Sequence, residues 1–331
     1  MRGLLPFRNI EEVKSALQRV NYMDNELIDQ AVREMISDKQ KVKIKQPIHN
    51  SFTINFSDSL VCGDCQEVLK HIPDNTLHLC FTSPPYYNAK DYSIYRSYKD
   101  YLDFLTEVFK EVHRVLQEGR FFVLNTSPVL IPRMSRKHQS QRYLIPFDLH
   151  PRLIDTGFDF IDDIIWVKPE PSAKNRNAGF SQHRKPLMYK SNSVCEYVIV
   201  YRKHTNKLID WNLRQYSHET VEKSKVNGEY EKSNAWQIAP SANKFHPAVF
   251  PKELTSRVIK FYSFIDDVVL DPFAGSGTVG IVALELGRKF FLIEKEHSYC
   301  NHFLNSSSNV LFTKYFSQSQ FLEELNFLRT K

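Results

Sequence analysis

From about Leu60 onward the chain alternates between short runs of consecutive apolar residues and longer stretches in which apolar positions recur every three or four residues. The first kind reads as strands buried on both faces, the second as helices with one apolar side. Seven runs stand out: Leu60-Val-Cys62, Leu77 to Phe81, Phe121 to Leu124, Phe160 to Val167, Val194 to Tyr201, Val268 to Leu270 and Phe290 to Ile293. That rhythm predicts an α/β fold built on a mostly parallel sheet. Between the second and third runs, Tyr101, Leu105, Val108, Val112 and Val115 form an apolar helical stripe, with Gly119 placed to cap its end. A further helix is expected after Pro251, turning Leu254, Val258, Ile259 and Tyr262 inward. Residues 1–50 follow another pattern. Val13, Leu17 and Val20, then Leu27, Ile28, Ala31 and Met35, fit two short amphipathic helices. They end in an alternating basic tract, Lys39 to Lys45, which is either a solvated edge strand or an arm lying on phosphates.

Composition narrows the class. The 331 residues are 42% hydrophobic and 25% charged, enough apolar material for one large domain or two modest ones. No apolar run reaches the length of a membrane span, and the first residues lack the apolar core and cleavage site of a secretion signal. A soluble chain in the cytoplasm is expected. Its five cysteines, Cys62, Cys65, Cys80, Cys195 and Cys300, are odd in number and scattered, which argues against a disulfide framework. Cys62-x-x-Cys65 has no second pair to complete a zinc site, so no metal is expected.

The net charge of +6 becomes informative only when located. Residues 131–145 carry Arg133, Arg136, Lys137 and Arg142 with no acid, and residues 171–240 carry twelve Lys or Arg against six Asp or Glu. The second stretch alone nets +6. It also holds Trp211, Tyr216, Tyr230 and Trp236 among polar residues, and reads as an aromatic-bearing insertion rather than a core element.

Two motifs carry chemistry. In Val268-Val-Leu-Asp271-Pro272-Phe273-Ala274-Gly275-Ser276-Gly277-Thr278, a buried strand runs into a turn with two glycines and opens a helix. Such a turn lets backbone approach a ligand closely, with helix N–H groups pointing at it. The next strand ends in Glu294, where an acid suits the two hydroxyls of a ribose. Taken alone, this turn also fits NAD or no nucleotide at all. The second motif is Leu79-Cys-Phe-Thr82-Ser83-Pro84-Pro85-Tyr86-Tyr87. Two prolines in succession fix an extended, rigid turn, and the carbonyls before them stay out of any helix. The result is a fixed set of acceptors beside a flat aromatic face.

Ser-Pro-Pro-Tyr and Asp-Pro-Phe-x-Gly-Ser-Gly-Thr in one chain resemble the amino methyltransferases of DNA. The likeness extends to Gly63-Asp64 with Ile72-Pro73-Asp74, to Ile164-Ile-Trp166-Val-Lys168-Pro169, to Glu196 through Lys203, and to His246-Pro247-Ala248-Val249-Phe250-Pro251-Lys252. It covers roughly residues 58–305. The order of motifs, catalytic before cofactor with the basic insertion between, is that of the circularly permuted beta class. Serine at the head of the tetrapeptide, with the His-Pro-Ala-x-Phe-Pro segment, is similar to the cytosine-N4 members; adenine-N6 members usually carry Asp or Asn there. Glu118-Gly119-Arg120 departs from the double glycine common at that loop.

The resemblance implies a Rossmann-like, seven-stranded, mostly parallel methyltransferase sheet with helices on both faces. It divides the chain into an N-terminal helical extension (1–50), a catalytic half (51–170), a target-recognition region (171–240, with the strand near 194–201 in the sheet) and a cofactor half (241–331). S-adenosylmethionine is the implied cofactor. Asp64 is then expected to bind its adenine amine, Glu294 its ribose hydroxyls, Phe273 the adenine face, and Asp271, Phe273, Ala274, Gly275, Ser276, Gly277 and Thr278 the methionine part. His246 and Lys252 would help close the pocket, although Lys168 and Lys252 equally suit the surface. The implied substrate is double-stranded DNA, contacted by Arg133, Arg136, Lys137, Lys174, Arg176, Arg184 and Lys185. In a bacterial or archaeal cell such an enzyme either partners a cognate restriction endonuclease or stands alone, and both are left open, as are monomer and dimer, with no membrane involved.

The reaction suits these residues. A cytosine amine is a poor nucleophile because its lone pair is delocalised into the ring, and within a duplex it is also paired, so the base must leave the stack. A flipped cytosine could stack on Tyr86. Ser83 and the Pro84 carbonyl could accept from the amine, or Ser83 could donate to ring N3, with Pro85 keeping the turn rigid. Positioning and electrostatics then carry the catalysis. Methylation at carbon-5 needs a nucleophilic thiol, and no cysteine follows a proline in an exposed turn; Cys80 lies inside an apolar strand. The rival readings are adenine-N6 methylation and, from another class, a catalytically silent DNA-binding module.

Overall fold

The computed structural model describes residues 51–87, 95–131, 135, 137, 141–169, 193–228, 232–241, 251–306 and 313–330. The helices and basic tract expected within 1–50 lie outside the described residues, as do Arg133, Arg136, Lys174, Arg176, Arg184, Lys185 and His246. In chain order the elements are α1 (Ser51–Phe56), β1 (Ser59–Cys62), α2 (Cys65–His71), β2 (Leu77–Thr82), α3 (Tyr98–Val115), β3 (Leu116–Thr126), β4 (Val129–Ile131), β5 (Gln141–Tyr143), α4 (Ile145–Thr156), β6 (Phe158–Val167) and β7 (Cys195–Lys203). They continue with α5 (Ile209–Leu213), α6 (His218–Lys223), β8 (Ala235–Gln237), α7 (Lys252–Tyr262), β9 (Val268–Asp271), α8 (Thr278–Glu285), β10 (Lys289–Glu294), α9 (His297–Ser306), β11 (Lys314–Ser317) and α10 (Gln318–Thr330). No described helix is long and apolar enough to cross a membrane.

All seven predicted runs are strands of one sheet, ordered β11-β1-β10-β9-β2-β3-β7-β6-β8. From β11 to β3 neighbours run parallel; β7 is antiparallel to β3 and to β6. Among the described residues the sheet has nine strands rather than seven. The two extra strands, β8 and β11, sit at its edges, and at three and four residues they are too short and too mixed in character to show a pattern.

Both faces are covered, which is why the central strands read as unbroken apolar runs. Val268, Leu270, Phe291 and Ile293 face one core with α1, α2, α3, α4 and α10; Val269, Phe290 and Leu292 face the other with α7, α8 and α9. From β9 the chain passes through α8 to β10 on one side, and from β2 through α3 to β3 on the other. Strand order therefore reverses between β9 and β2, and a crevice forms at their carboxyl ends, the place where open α/β sheets bind ligands.

Two local expectations are corrected. Helix α3 starts at its Ser97 cap, whose hydroxyl accepts from Asp100 N at 3.0 Å, buries the predicted stripe, and ends where Leu116 becomes extended. Gly119 is thus not a helix cap: it lies inside β3 with φ +69°, where a Cβ would come within 2.9 Å of Arg202 Nη2. The second correction concerns 171–240, whose described part includes core. Trp236 is buried against the sheet, and the Tyr216 hydroxyl donates to Asp267 Oδ1 at 2.5 Å. Asp267 also pairs with the buried Arg120, so α5 and α6 are fastened to the amino ends of β9 and β3.

Candidate active site

Strand β2 delivers Thr82, Ser83, Pro84, Pro85 and Tyr86 to the crevice, and β9 delivers the glycine turn. The pairing of Leu79 with Val269 and Cys80 with Leu270 sets the two motifs side by side. A side-chain bond joins them: Thr82 Oγ1 donates to Asp271 Oδ1 at 2.6 Å, both residues fully or nearly fully buried. The same oxygen accepts from Phe273 N at 3.1 Å, which folds the Asp271-Pro272-Phe273 turn. Burial, with the neighbouring Glu294 charge, pushes the Asp271 carboxyl up to about 7.

Gly275 and Gly277 both adopt left-handed backbone, and Gly277 caps α8. At Gly277 a Cβ would sit 2.0 Å from Phe303 Cδ2, so glycine is required there on two counts. Glu294 Oε2 accepts from Gly275 N at 2.6 Å and its Oε1 from Glu296 N at 2.8 Å; burial raises this carboxyl as well. Cys62 pairs with Glu294 across β1 and β10, which brings Asp64, the cap of α2, to the same edge. Phe273 is half-buried, its ring 6.1 Å from that of Phe104. Ala274 and Ser276 are buried within the turn, and Thr278 opens α8. Three carboxylates at the ends of adjacent parallel strands, beside a turn open to backbone approach, suit a ligand that presents vicinal hydroxyls and a cation.

Lys252 is not brought to this group. Its ammonium pairs with Glu285 Oε1 at 2.5 Å, at the far end of α8, about 12 Å from the glycine turn for a helix of that length. Lys137 is exposed.

On the other side of β2 the tetrapeptide meets a buried polar network. Tyr86 OH donates to Glu196 Oε2 at 2.8 Å, Asn125 Nδ2 donates to the same oxygen at 2.7 Å and to Ser83 Oγ at 3.3 Å, and Lys168 pairs with Glu196 Oε1. Lys168 also sits over the Trp166 ring, 4.3 Å from its centroid. Burial alone would raise Glu196, but the Lys168 charge and the donors from Lys168, Asn125 and Tyr86 hold it below the usual range. Burial and the Glu196 charge push the Tyr86 phenol well above its ordinary value. Sequence reasoning passed over Asn125, placed Glu196 in a family-like segment without a role, and left Lys168 undecided. The available signal was an acid inside the apolar run of β7, since a buried carboxylate requires a partner.

Residues 77–305 match the family model of the DNA methylases, N6_N4_Mtase. The chain belongs to this family. Among the DNA methylases, it is 30% identical over 272 residues to the Type II methyltransferase M.ScaI of Streptomyces caespitosus, covering 79% of this chain and 85% of that protein. It is 28% identical over 300 residues to the Type II beta methyltransferase M.BslI of a Bacillus strain, covering 87% of this chain but only 32% of M.BslI. The chain thus spans about a third of that relative's length. TTHA0409 of Thermus thermophilus, described as a putative DNA modification methylase and solved with S-adenosyl-L-methionine, superposes with a TM-score of 0.62 at 29% identity, covering 78% of this chain and 97% of that one. PvuII DNA methyltransferase, at 22% identity and a TM-score of 0.57 over 82% of this chain and 92% of its own, shares the fold.

Proposed function

We propose that this DNA methylase is a site-specific methyltransferase acting on the exocyclic N4 of a flipped cytosine in double-stranded DNA, with S-adenosylmethionine as methyl donor, and that it protects DNA against a cognate restriction endonuclease. The observation that carries the reading is the Thr82 to Asp271 hydrogen bond, which ties the acceptor tetrapeptide to the glycine turn. A base held at Ser83 to Tyr86 and a cofactor held at Asp271 to Thr278 then meet over adjacent strand ends.

The residues fit the cofactor. Glu294, which accepts from the backbone N–H groups of Gly275, Lys295 and Glu296, keeps one acceptor position for a ribose hydroxyl, while Asp64 would accept from the adenine amine, Phe273 would cover its face, and Asp271 would give the methionine ammonium a carboxylate partner. When bound, the cofactor supplies a sulfonium methyl. The chain supplies position: the Pro84 carbonyl and Ser83 orient the amine, Tyr86 offers its ring, and the surrounding burial excludes water. Tyr86 stays a neutral phenol throughout.

Serine at position 83 and the His246 to Lys252 segment support cytosine over adenine. Incubating plasmid DNA with the protein and labelled S-adenosylmethionine, then sequencing the modified sites and analysing the nucleosides by mass, tests the reading. N4-methylcytosine at one short recognition sequence is expected. Label only in N6-methyladenine would overturn the base assignment, and no label in DNA would overturn the activity.

A further inference from the structure

Asn125 lies near the end of β3 at the carboxyl side of the sheet and is 2% exposed. Both of its amide N–H bonds are committed, one to Glu196 Oε2 and one to Ser83 Oγ. Glu196 is held from its other side by Lys168 and Tyr86, and an ionised carboxylate can only accept. A flipped amide would set its oxygen against that carboxylate, so chemistry fixes the orientation. Asn125 Oδ1 is left as an acceptor, and among the described residues it is buried with no hydrogen-bond partner. The oxygen and nitrogen of one amide are about 2.3 Å apart, which puts Oδ1 within about 6 Å of Ser83 Oγ. A buried carbonyl without a donor is costly unless a ligand brings one.

We propose that Asn125 Oδ1 accepts one N–H of the target base's exocyclic amine, and that the Lys168 to Glu196 ion pair is the positioning device that holds the Asn125 amide for this task. The inference rests on the methyltransferase reading and completes its hydrogen bonds. Asn125 donates to Ser83 Oγ and the Ser83 hydroxyl bonds the Tyr86 phenol, so Ser83 belongs to the same network and does not satisfy Asn125 Oδ1. The two N–H bonds of the amine then go to the Pro84 carbonyl and to Asn125 Oδ1. With both held in fixed directions, the nitrogen lone pair turns out of conjugation and toward the methyl.

The test uses the full chain, duplexes carrying the methylated sequence, and the variants Asn125→Leu and Asn125→Asp. Binding is measured to duplexes with the amine base and with its keto counterpart, uracil for cytosine or hypoxanthine for adenine, with S-adenosylhomocysteine present. The wild-type protein should prefer the amine by about tenfold or more, because a keto oxygen would face Oδ1 as a second acceptor. Asn125→Leu should shrink that preference several-fold, the Pro84 carbonyl still disfavouring the keto oxygen, and slow single-turnover transfer about 10- to 100-fold, with cofactor affinity unchanged within about twofold. Asn125→Asp nearly preserves shape and gives a signature no packing role would produce. Its carboxylate beside Glu196 should block transfer at high pH, and activity should return as pH falls, since a protonated Asp again donates to Glu196 and presents a carbonyl. An Asn125→Leu protein that keeps rate and preference, or an Asn125→Asp protein with the wild-type pH profile, overturns the inference. Wild-type protein that labels no DNA overturns the parent reading and this one with it.

Discussion

Replacing Thr82 by valine removes one oxygen and keeps the side-chain shape, so it isolates the bond that joins the two motifs. Thr82 Oγ1 is 2.6 Å from Asp271 Oδ1, and that oxygen also accepts from Phe273 N at 3.1 Å. A hydrogen bond to the ionised form lowers a carboxyl pKa, so losing it must push Asp271 above its present value of about 7. Bonds to charged groups contribute about 1 kcal/mol more than neutral ones, and about 1.36 kcal/mol corresponds to one pKa unit, so the shift should be roughly one unit upward. A ligand ammonium binds the ionised form. In the wild-type protein, cofactor affinity should therefore climb as pH rises through about 7 and level off above it. With the midpoint about one unit higher, only about a tenth of the variant is competent at pH 7 against about half of the wild type, a loss of roughly fivefold that vanishes by about pH 9.5. Calorimetric titration with S-adenosylhomocysteine, which keeps the ammonium, measures this at constant ionic strength. The same linkage acts on the bare fold: Asp271 titrates higher when folded than unfolded, so its contribution to stability is present below about pH 4 and declines as pH rises through about 7. Thr82→Val should extend that decline upward. Identical pH profiles for the two proteins, or a midpoint that falls, would refute the coupling.

Gly277→Ala places a Cβ 2.0 Å from Phe303 Cδ2 on backbone at φ +77°, and should lower stability by about 2 kcal/mol or more and abolish cofactor binding, read by thermal melts with and without S-adenosylmethionine. Lys168→Met leaves Glu196 buried without its cation and should cost about 3 kcal/mol; adding Glu196→Gln, which removes the charge but keeps an acceptor for Tyr86 and Asn125, should recover much of that stability in urea melts while methyl transfer stays slowed. Reversing charge at Lys174, Arg176, Arg184 and Lys185 should weaken DNA binding and flatten its logarithmic salt slope by about 0.9 for each phosphate left unneutralised, with cofactor affinity unaffected. If binding and its salt slope both survive that change, the segment does not hold DNA.

The sheet was legible because its central strands are buried on both faces, so Val268 to Leu270 and Phe290 to Ile293 show as solid apolar runs. The glycine turn was legible for a different reason: both glycines adopt left-handed backbone, and at Gly277 a Cβ would also overlap the Phe303 ring, so that requirement marks the sequence directly. What stayed hidden depends on distance along the chain. Asn125 meets a partner 71 residues away and Lys168 one 28 residues away, so no local pattern announces either interaction. Gly119 misled because a glycine just past a helix stripe has two uses, and here it relieves a strand crossed by the Arg202 side chain.

The basic excess is sharpened by which end of the sheet each charge occupies. Six of the twelve bases in 171–240 fall within 193–228, and all six are engaged within the fold. Arg202 and Lys203 donate to main-chain carbonyls, Lys207 pairs with Glu118, Arg214 with Asp210, Lys223 with Glu219 and Lys225 with Glu222. Through Tyr216 and Asp267, this part is also fastened to the amino ends of β9 and β3, opposite the crevice. Residues 171–192 are different. They hold Lys174, Arg176, Arg184, Lys185 and Lys190 with no acid, and the chain leaves for them at Val167 and returns at Cys195. Val167 and Cys195 are paired, one residue from Glu196, at the same end of the sheet as Ser83 and Asn125. Under the proposed reading, the bases between Val167 and Cys195 are therefore the ones to test for phosphate contacts, ahead of the six that already have partners within the fold.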